Sequence, residues 1–176
     1  DTPGYADFLS DAQAALRVSD SAVVVVEAVA GVEVGTERVW RLAQDYGLPC
    51  LIVVNKMDRA DIELEELLDQ IQSRFGRQAV VLQHPLNHGE GFNQLIDVVS
   101  TKLVTYDDGK AQESELPEEH AAVSQKLHEQ IVEAVAETDE ALMEKYFGDG
   151  DLSSQELATG LRKAVLQREL FPIVFT

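Results

Sequence analysis

The sequence predicts an α/β fold, a parallel sheet of short buried strands interrupted late in the chain by an acidic, mostly helical block. Three observations carry that expectation. Ala22-Val23-Val24-Val25-Val26 and Leu51-Ile52-Val53-Val54 are β-branched apolar runs of the kind found in strands covered on both faces. Segments with helical hydrophobic spacing alternate with them, the order of a doubly wound sheet. A last apolar run, Phe171-Pro172-Ile173-Val174-Phe175, follows only after a long stretch of amphipathic helices, so the block lies between two pieces of one sheet.

Each element has its own signal. Tyr5 to Arg17 reads as a helix with Phe8, Ala12, Ala15 and Leu16 on one side. After the Ala22–Val26 strand and a loop holding Gly31 and Gly35, Thr36 to Tyr46 reads as a helix with Val39, Trp40 and Ala43 inward. Gly47 stands where a helix C-terminus needs a left-handed residue. Ile62 to Phe75 is amphipathic through Ile62, Leu67, Leu68, Ile71 and Phe75, and Ala79 to Leu82 reads as a strand. His84 to Gly91 is expected as a loop. Its two histidines are four apart, and the neighbouring Pro85 and Gly89 break any helix that would bring them onto one metal. Phe92 to Tyr106 mixes short strand-like pieces, and Asp107 to Glu115 reads as a polar turn or mobile loop. Glu118 to Glu137 is a helix with Val123, Leu127, Ile131 and Val135 as its apolar stripe and glutamates opposite. Thr138 is expected to cap a helix ended by Gly148, and Ser153-Ser154-Gln155-Glu156 is a capping box for another that buries Leu157, Leu161 and Val165. The domain division predicted is 1–78 for the first part of the parallel sheet, 79–170 for the inserted subdomain and 171–176 for the returning strand.

Composition narrows the function classes. The 176 residues are 45% apolar, enough for a real core. A formal charge of −18 and a pI near 4.4 argue against nucleic acid as a direct ligand, because phosphates are repelled, and suit a basic protein partner. A single cysteine supports neither a disulfide framework nor a metal cluster. Without an apolar run of about 18 residues or a signal-like start, the expectation is a cytoplasmic protein with no membrane partner. The first residue is Asp rather than Met, which reads as a processed or excised chain.

The chemistry is concentrated where the Leu51–Val54 strand ends. Asn55-Lys56-Met57-Asp58 follows it directly, and ligands of open α/β sheets bind outside the carboxyl ends of strands. An amide and a carboxylate three residues apart can address one flat heterocycle. A carboxylate accepts two neighbouring N–H bonds, the arrangement guanine offers through N1–H and its exocyclic amine. The lysine between them brings an aliphatic stem to lie along a ring or sugar. Asp1-Thr2-Pro3-Gly4 is a D-x-x-G, in which glycine lets a backbone N–H approach an anion and aspartate holds a metal-bound water. By itself that motif is a common turn.

Taken together, Asp1–Phe8, Val26–Trp40 and Leu48–Arg59 resemble the GTP-binding domain of translational GTPases, and Phe92–Asp97 through Leu142–Tyr146 is similar to the insertion of bacterial elongation factor G. The resemblance spans essentially the whole chain. It implies a partial P-loop NTPase-type parallel sheet, a GTPase domain lacking its phosphate-loop strand, with an inserted α+β subdomain. It also implies GTP or GDP and Mg2+ as cofactors, the ribosome as partner, and docking of the ribosomal stalk protein on the insertion. By resemblance, Asp1 holds magnesium through water, Gly4 gives its N–H to the γ-phosphate, Asn55 and Asp58 read guanine, and Lys56 packs along the nucleotide. Tyr5 stands at the position of the family's water-orienting histidine, as in elongation factor G-like paralogues; a phenol hydrogen-bonds a water but does not take its proton as an imidazole does. No G-x-x-x-x-G-K-[ST] occurs in the sequence. The expectation is therefore an internal segment of a longer GTPase, inactive alone, whose Val23–Val26 strand has an open apolar edge. The alternatives are a non-catalytic ribosome-binding module and a GTPase of the release factor 3 or ribosomal-protection type.

Overall fold

The computed structural model describes residues 1–176, the side chain of Ala6 excepted. An irregular, exposed Asp1–Gly4 leads through a short 3-10 turn into α1 (Leu9–Leu16). There follow β1 (Ala22–Glu27), α2 (Val34–Asp45), β2 (Cys50–Asn55), α3 (Leu64–Phe75) and β3 (Ala79–Val81). The chain then crosses into β4 (Gln83–Pro85), β5 (Gln94–Asp97), β6 (Lys102–Asp107) and β7 (Lys110–Ser114). Three helices complete the excursion, α4 (Ala121–Ala136), α5 (Glu140–Asp149) and α6 (Ser154–Leu166), before β8 (Phe171–Phe175) returns.

The α/β expectation holds. One sheet is parallel, in the order β1-β2-β8-β3, and the other is antiparallel, in the order β4-β5-β6-β7. The returning strand lies between β2 and β3, with Ile52 opposite Ile173 and Val81 also in register with Ile173. The first core packs α2 and α3 on the parallel sheet around Trp40, which stacks on Phe75 at 4.4 Å between centroids and meets Phe171 edge-on at 4.8 Å. The second core joins Ile131, Val132 and Val135 of α4 to Leu157 and Ala164 of α6 and to Leu170. Strand alternation connects the two, because Ala79 enters the first core and its neighbour Val80 the second.

Local chemistry explains the ends. Beyond α2, Gly47 takes φ 69, its N–H donates to the Gln44 carbonyl and the Leu48 N–H to that of Ala43, a Schellman stop. The capping box at Ser153 and Glu156 forms as expected. Lys145 binds Glu156 too, and with Ser153 it holds that carboxyl down to about 2. Among the described residues no helix is long and apolar enough to cross a membrane.

Several expectations are corrected. The first strand is covered on one face only: Val24 and Val26 are buried, whereas Val23 and Val25 are 60% and 54% exposed on the outer face of an edge strand. On α1, Ala12 is buried but Phe8 is 46% exposed. Ala79–Val81, assigned by sequence to the insertion, pairs in parallel with β8 and belongs to the first sheet. His84 and Pro85 form strand β4 against Ile96 and Leu95 rather than a loop. The polar stretch after Asp107 is strand β7, joined to β6 by Asp108-Gly109 at φ 46 and 74, the two left-handed residues a tight hairpin requires. Asp139, not Thr138, caps α5, because its carboxylate accepts the Ala141 and Leu142 N–H groups while the Thr138 hydroxyl donates to the Val135 carbonyl. That helix runs through Gly148 and stops at Gly150, whose φ of 78 supplies the left-handed cap. Val123 is 43% exposed, outside the buried stripe of α4.

Gly160 allows α6 to approach its neighbours closely. A Cβ there would lie 2.6 Å from Val135 Cγ1 and 2.7 Å from Leu142 Cδ1. Gly160→Ala is expected to destabilise the fold by about 1–2 kcal/mol, since overpacking outweighs the gain in helix propensity. Denaturant unfolding checks this, and unchanged or raised stability contradicts the packing described.

Candidate functional site

Parallel strands align their carboxyl ends, so β1 and β2 deliver Glu27 and Asn55 side by side in register. The chain leaving β2 is then held from three directions. The Thr176 N–H donates to the Val54 carbonyl at 2.8 Å, and the Met57 N–H donates to the Thr176 carbonyl at 3.2 Å. From below, Met57 is wholly buried in the first core. From the insertion side, the Gly89 N–H donates to the Met57 carbonyl at 2.8 Å. A buried residue between exposed ones forces its neighbours outward, and Asn55, Lys56 and Asp58 are all exposed at the strand end.

Lys56 takes φ 65, a left-handed conformation that costs a non-glycine residue about 1–2 kcal/mol. Surrounding bonds hold it there: its N–H donates to Asn55 Oδ1 at 2.6 Å and its carbonyl accepts the Arg59 N–H at 3.1 Å. With Asn55 Oδ1 so engaged, the carboxamide nitrogen is left as a donor. Asp58 supplies two acceptor oxygens. The Lys56 ammonium lies 2.9 Å from Glu27 Oε2. One donor, two adjacent acceptors and an aliphatic stem match a guanine edge, which presents O6 and N7 as acceptors and N–H groups as donors.

The residues predicted from sequence fall into two groups. Asn55, Lys56 and Asp58 are all exposed at the end of β2 and in the loop that follows it. Pro3, Gly4 and Tyr5 line a separate groove of about 630 Å³, with Leu9, Val25 and the first turn of α2. There the Gly4 carbonyl lies 3.6 Å from where a Cβ on Gly35 would be, and Tyr5 is 79% exposed. Asp1 is exposed and lies outside that lining. Among the described residues no hydrogen bond or ion pair joins Asp1–Tyr5 to Asn55–Asp58, nor do three His, Cys, Asp or Glu residues gather as a metal site. His84 is half-buried, with its pKa lowered by burial against the opposing charge of Glu65, and its Nδ1 has no partner. Cys50, at the far end of β2, has its thiol pushed up to about 11 by burial, against a hydrogen bond from Gln44, which makes it a packing residue rather than a nucleophile.

Sequence reasoning missed Glu27. The signal was available: Glu27 ends the Ala22–Val26 run as Asn55 ends Leu51–Val54, a polar residue closing a β-branched run. It missed the part of Thr176 as well, because that part is played by backbone atoms alone.

Comparison with known proteins agrees with the fold. Residues 1–175 match the family described as the elongation factor Tu GTP binding domain. A crystal structure of a protein from Thermus thermophilus is similar at a TM-score of 0.90 and 36% sequence identity, covering 100% of this chain and 26% of that one. The chain therefore spans about a quarter of the length of that relative. With all but its last residue matched, and with its sheet and strand-end loop arranged as described, the chain belongs to the elongation factor Tu GTP-binding domain family, a family of translational GTPases.

Proposed function

We propose that these residues form the guanine-reading part of the GTP-binding domain of a ribosome-dependent, cytoplasmic GTPase resembling elongation factor G. The observation that carries the proposal is the strand-end loop, in which Met57 is buried while Asn55 and Asp58 are exposed. In this reading Asp58 accepts the N1–H and amino N–H bonds of guanine, Asn55 donates to the opposite edge, and the Lys56 stem lies along the nucleotide. Positioning and charge stabilisation supply most of the catalysis in phosphoryl transfer, so fixing the base orients the remainder of the nucleotide. Asp1, exposed and with an ordinary carboxylate donor set, fits a magnesium ion held through water, since Mg2+ commonly takes one or two carboxylates beside phosphate oxygens. Magnesium, when bound, neutralises phosphate charge. Gly4 would offer its N–H to phosphate, and exposed Tyr5 would orient water by hydrogen bonding without acting as a base. GTP hydrolysis and its coupling to ribosomal translocation are assigned to the whole protein.

The insertion, which we place from β4 to the end of α6, is proposed to dock a basic surface of the ribosomal stalk. Support comes from the exposed carboxylates of Glu129, Glu133, Glu137, Glu140 and Glu144 along α4 and α5, near a Phe147 that is 79% exposed. Charge of one sign on a surface steers a partner of the other sign and is screened by salt.

Two outcomes follow. Asp58→Asn is expected to weaken GDP binding to the full-length protein by about 10- to 100-fold, the worth of a hydrogen bond to a charged group, and to improve binding of the xanthine analogue, whose 2-oxo group accepts from the new amide. Calorimetry with both nucleotides checks it, and unchanged GDP affinity refutes the base assignment. Ribosomes are expected to stimulate GTP turnover by the full-length protein, less so as salt rises, and Tyr5→His is expected to raise that turnover about tenfold or more. No stimulation at low ionic strength removes the ribosome from the account; stimulation indifferent to Tyr5→His removes Tyr5.

A further inference from the structure

Glu27 belongs to neither motif, yet it holds the one cation of the strand-end loop's Asn55–Asp58 segment. We propose that Glu27 is a positioning residue for the base site, holding Lys56 across the strand end so that the lysine stem already lines the site before nucleotide arrives. The proposal rests on the guanine reading of Asn55 and Asp58 and deepens it.

Its first support is geometric. Glu27 is the last residue of β1 and stands opposite Asn55 in register, with Oε2 at 2.9 Å from Lys56 Nζ. Next, the backbone that carries it is fixed on both sides. The Ala28 N–H donates to the Asn55 carbonyl at 2.9 Å, and the Gly31 N–H donates to the Glu27 carbonyl at 2.9 Å. Gly31 takes φ 68, and a Cβ there would fall 2.4 Å from Gln70 Oε1, so the turn after Glu27 is also closed down on α3. The carboxylate is therefore presented from a rigid strand end rather than from a mobile loop. Finally, the left-handed Lys56 backbone sends its side chain off the loop toward β1, where Glu27 receives it.

Energetics decide what such a pair can do. Both side chains are 41–45% exposed, and a pair of that kind adds little to folding stability. A lysine left free would instead have to be ordered when nucleotide binds, and immobilising one flexible side chain at an interface typically weakens binding by about two- to tenfold. A lysine already held by Glu27 does not carry that loss. The same pair would be inert if Lys56 did not touch the ligand.

The test is a double-mutant cycle in the full-length protein, reading GDP affinity and melting temperature for wild type, Glu27→Gln, Lys56→Gln and the double variant, with Asp58→Asn as control. Glu27→Gln is expected to weaken GDP by about three- to tenfold without lowering the melting temperature. That loss should vanish in the Lys56→Gln background and shrink at about 1 M salt, where exposed pairs are screened. Wild-type affinity in Glu27→Gln, or an equal loss with Lys56 absent, overturns the proposal. If Asp58→Asn weakens GDP while Glu27→Gln does not, only the positioning role falls. If neither changes affinity, the base-site reading falls and takes this one with it.

Discussion

Parallel pairing of β8 with β2 is the constraint on which the rest of the structure depends. Ile52, Val53 and Val54 meet Ile173, Val174 and Phe175 across more than a hundred residues of intervening chain. That pairing places β3 beyond β8, so the strands before and after the insertion lie side by side. It also carries Thr176 to where its N–H and carbonyl bond Val54 and Met57. The Asn55–Asp58 loop is thus held by backbone groups from the far end of the chain. A register slip of one residue would turn the Ile173 and Phe175 side chains out of the first core and leave the Met57 N–H without that acceptor.

Function follows from what this constraint leaves exposed. Met57 has no polar role, but its complete burial fixes how deep the loop sits and turns Asn55 and Asp58 to solvent. The strain stored at Lys56 is tolerated because neighbouring bonds over-determine it, and the resulting side-chain direction makes the Glu27 contact possible. Strand order sets the loop, and the loop sets which side chains are exposed.

Much of this was legible in the sequence because it is local. β-branched runs, the Gly47 stop, the Ser153 capping box and the abrupt polar end of β2 each announce themselves within a few residues. What escaped depends on partners far along the chain. Composition cannot say which face of a valine run is covered, so Val23 and Val25 looked buried. The continuous stretch from Ala79 to Pro85 splits between two sheets only because β8 takes its first half and β5 its second. β7 is exposed on both faces and lacks alternation, leaving Asp108-Gly109 as its one strong signal. At the strand ends, the polar residues Glu27 and Asn55 each close an apolar run, but the Glu27–Lys56 contact required knowing that β1 lies beside β2.

The most direct test of the central claim is a ¹H–¹⁵N titration of the 176-residue chain with GDP. Base contacts alone predict weak binding, of about millimolar strength, roughly −4 kcal/mol. The account predicts that the amide shifts concentrate at Asn55–Asp58 and Glu27–Ala28 and follow a single saturating curve. Shifts centred on the Gly4–Gly35 groove, or none at several times that concentration, would contradict the claim that this strand end reads guanine.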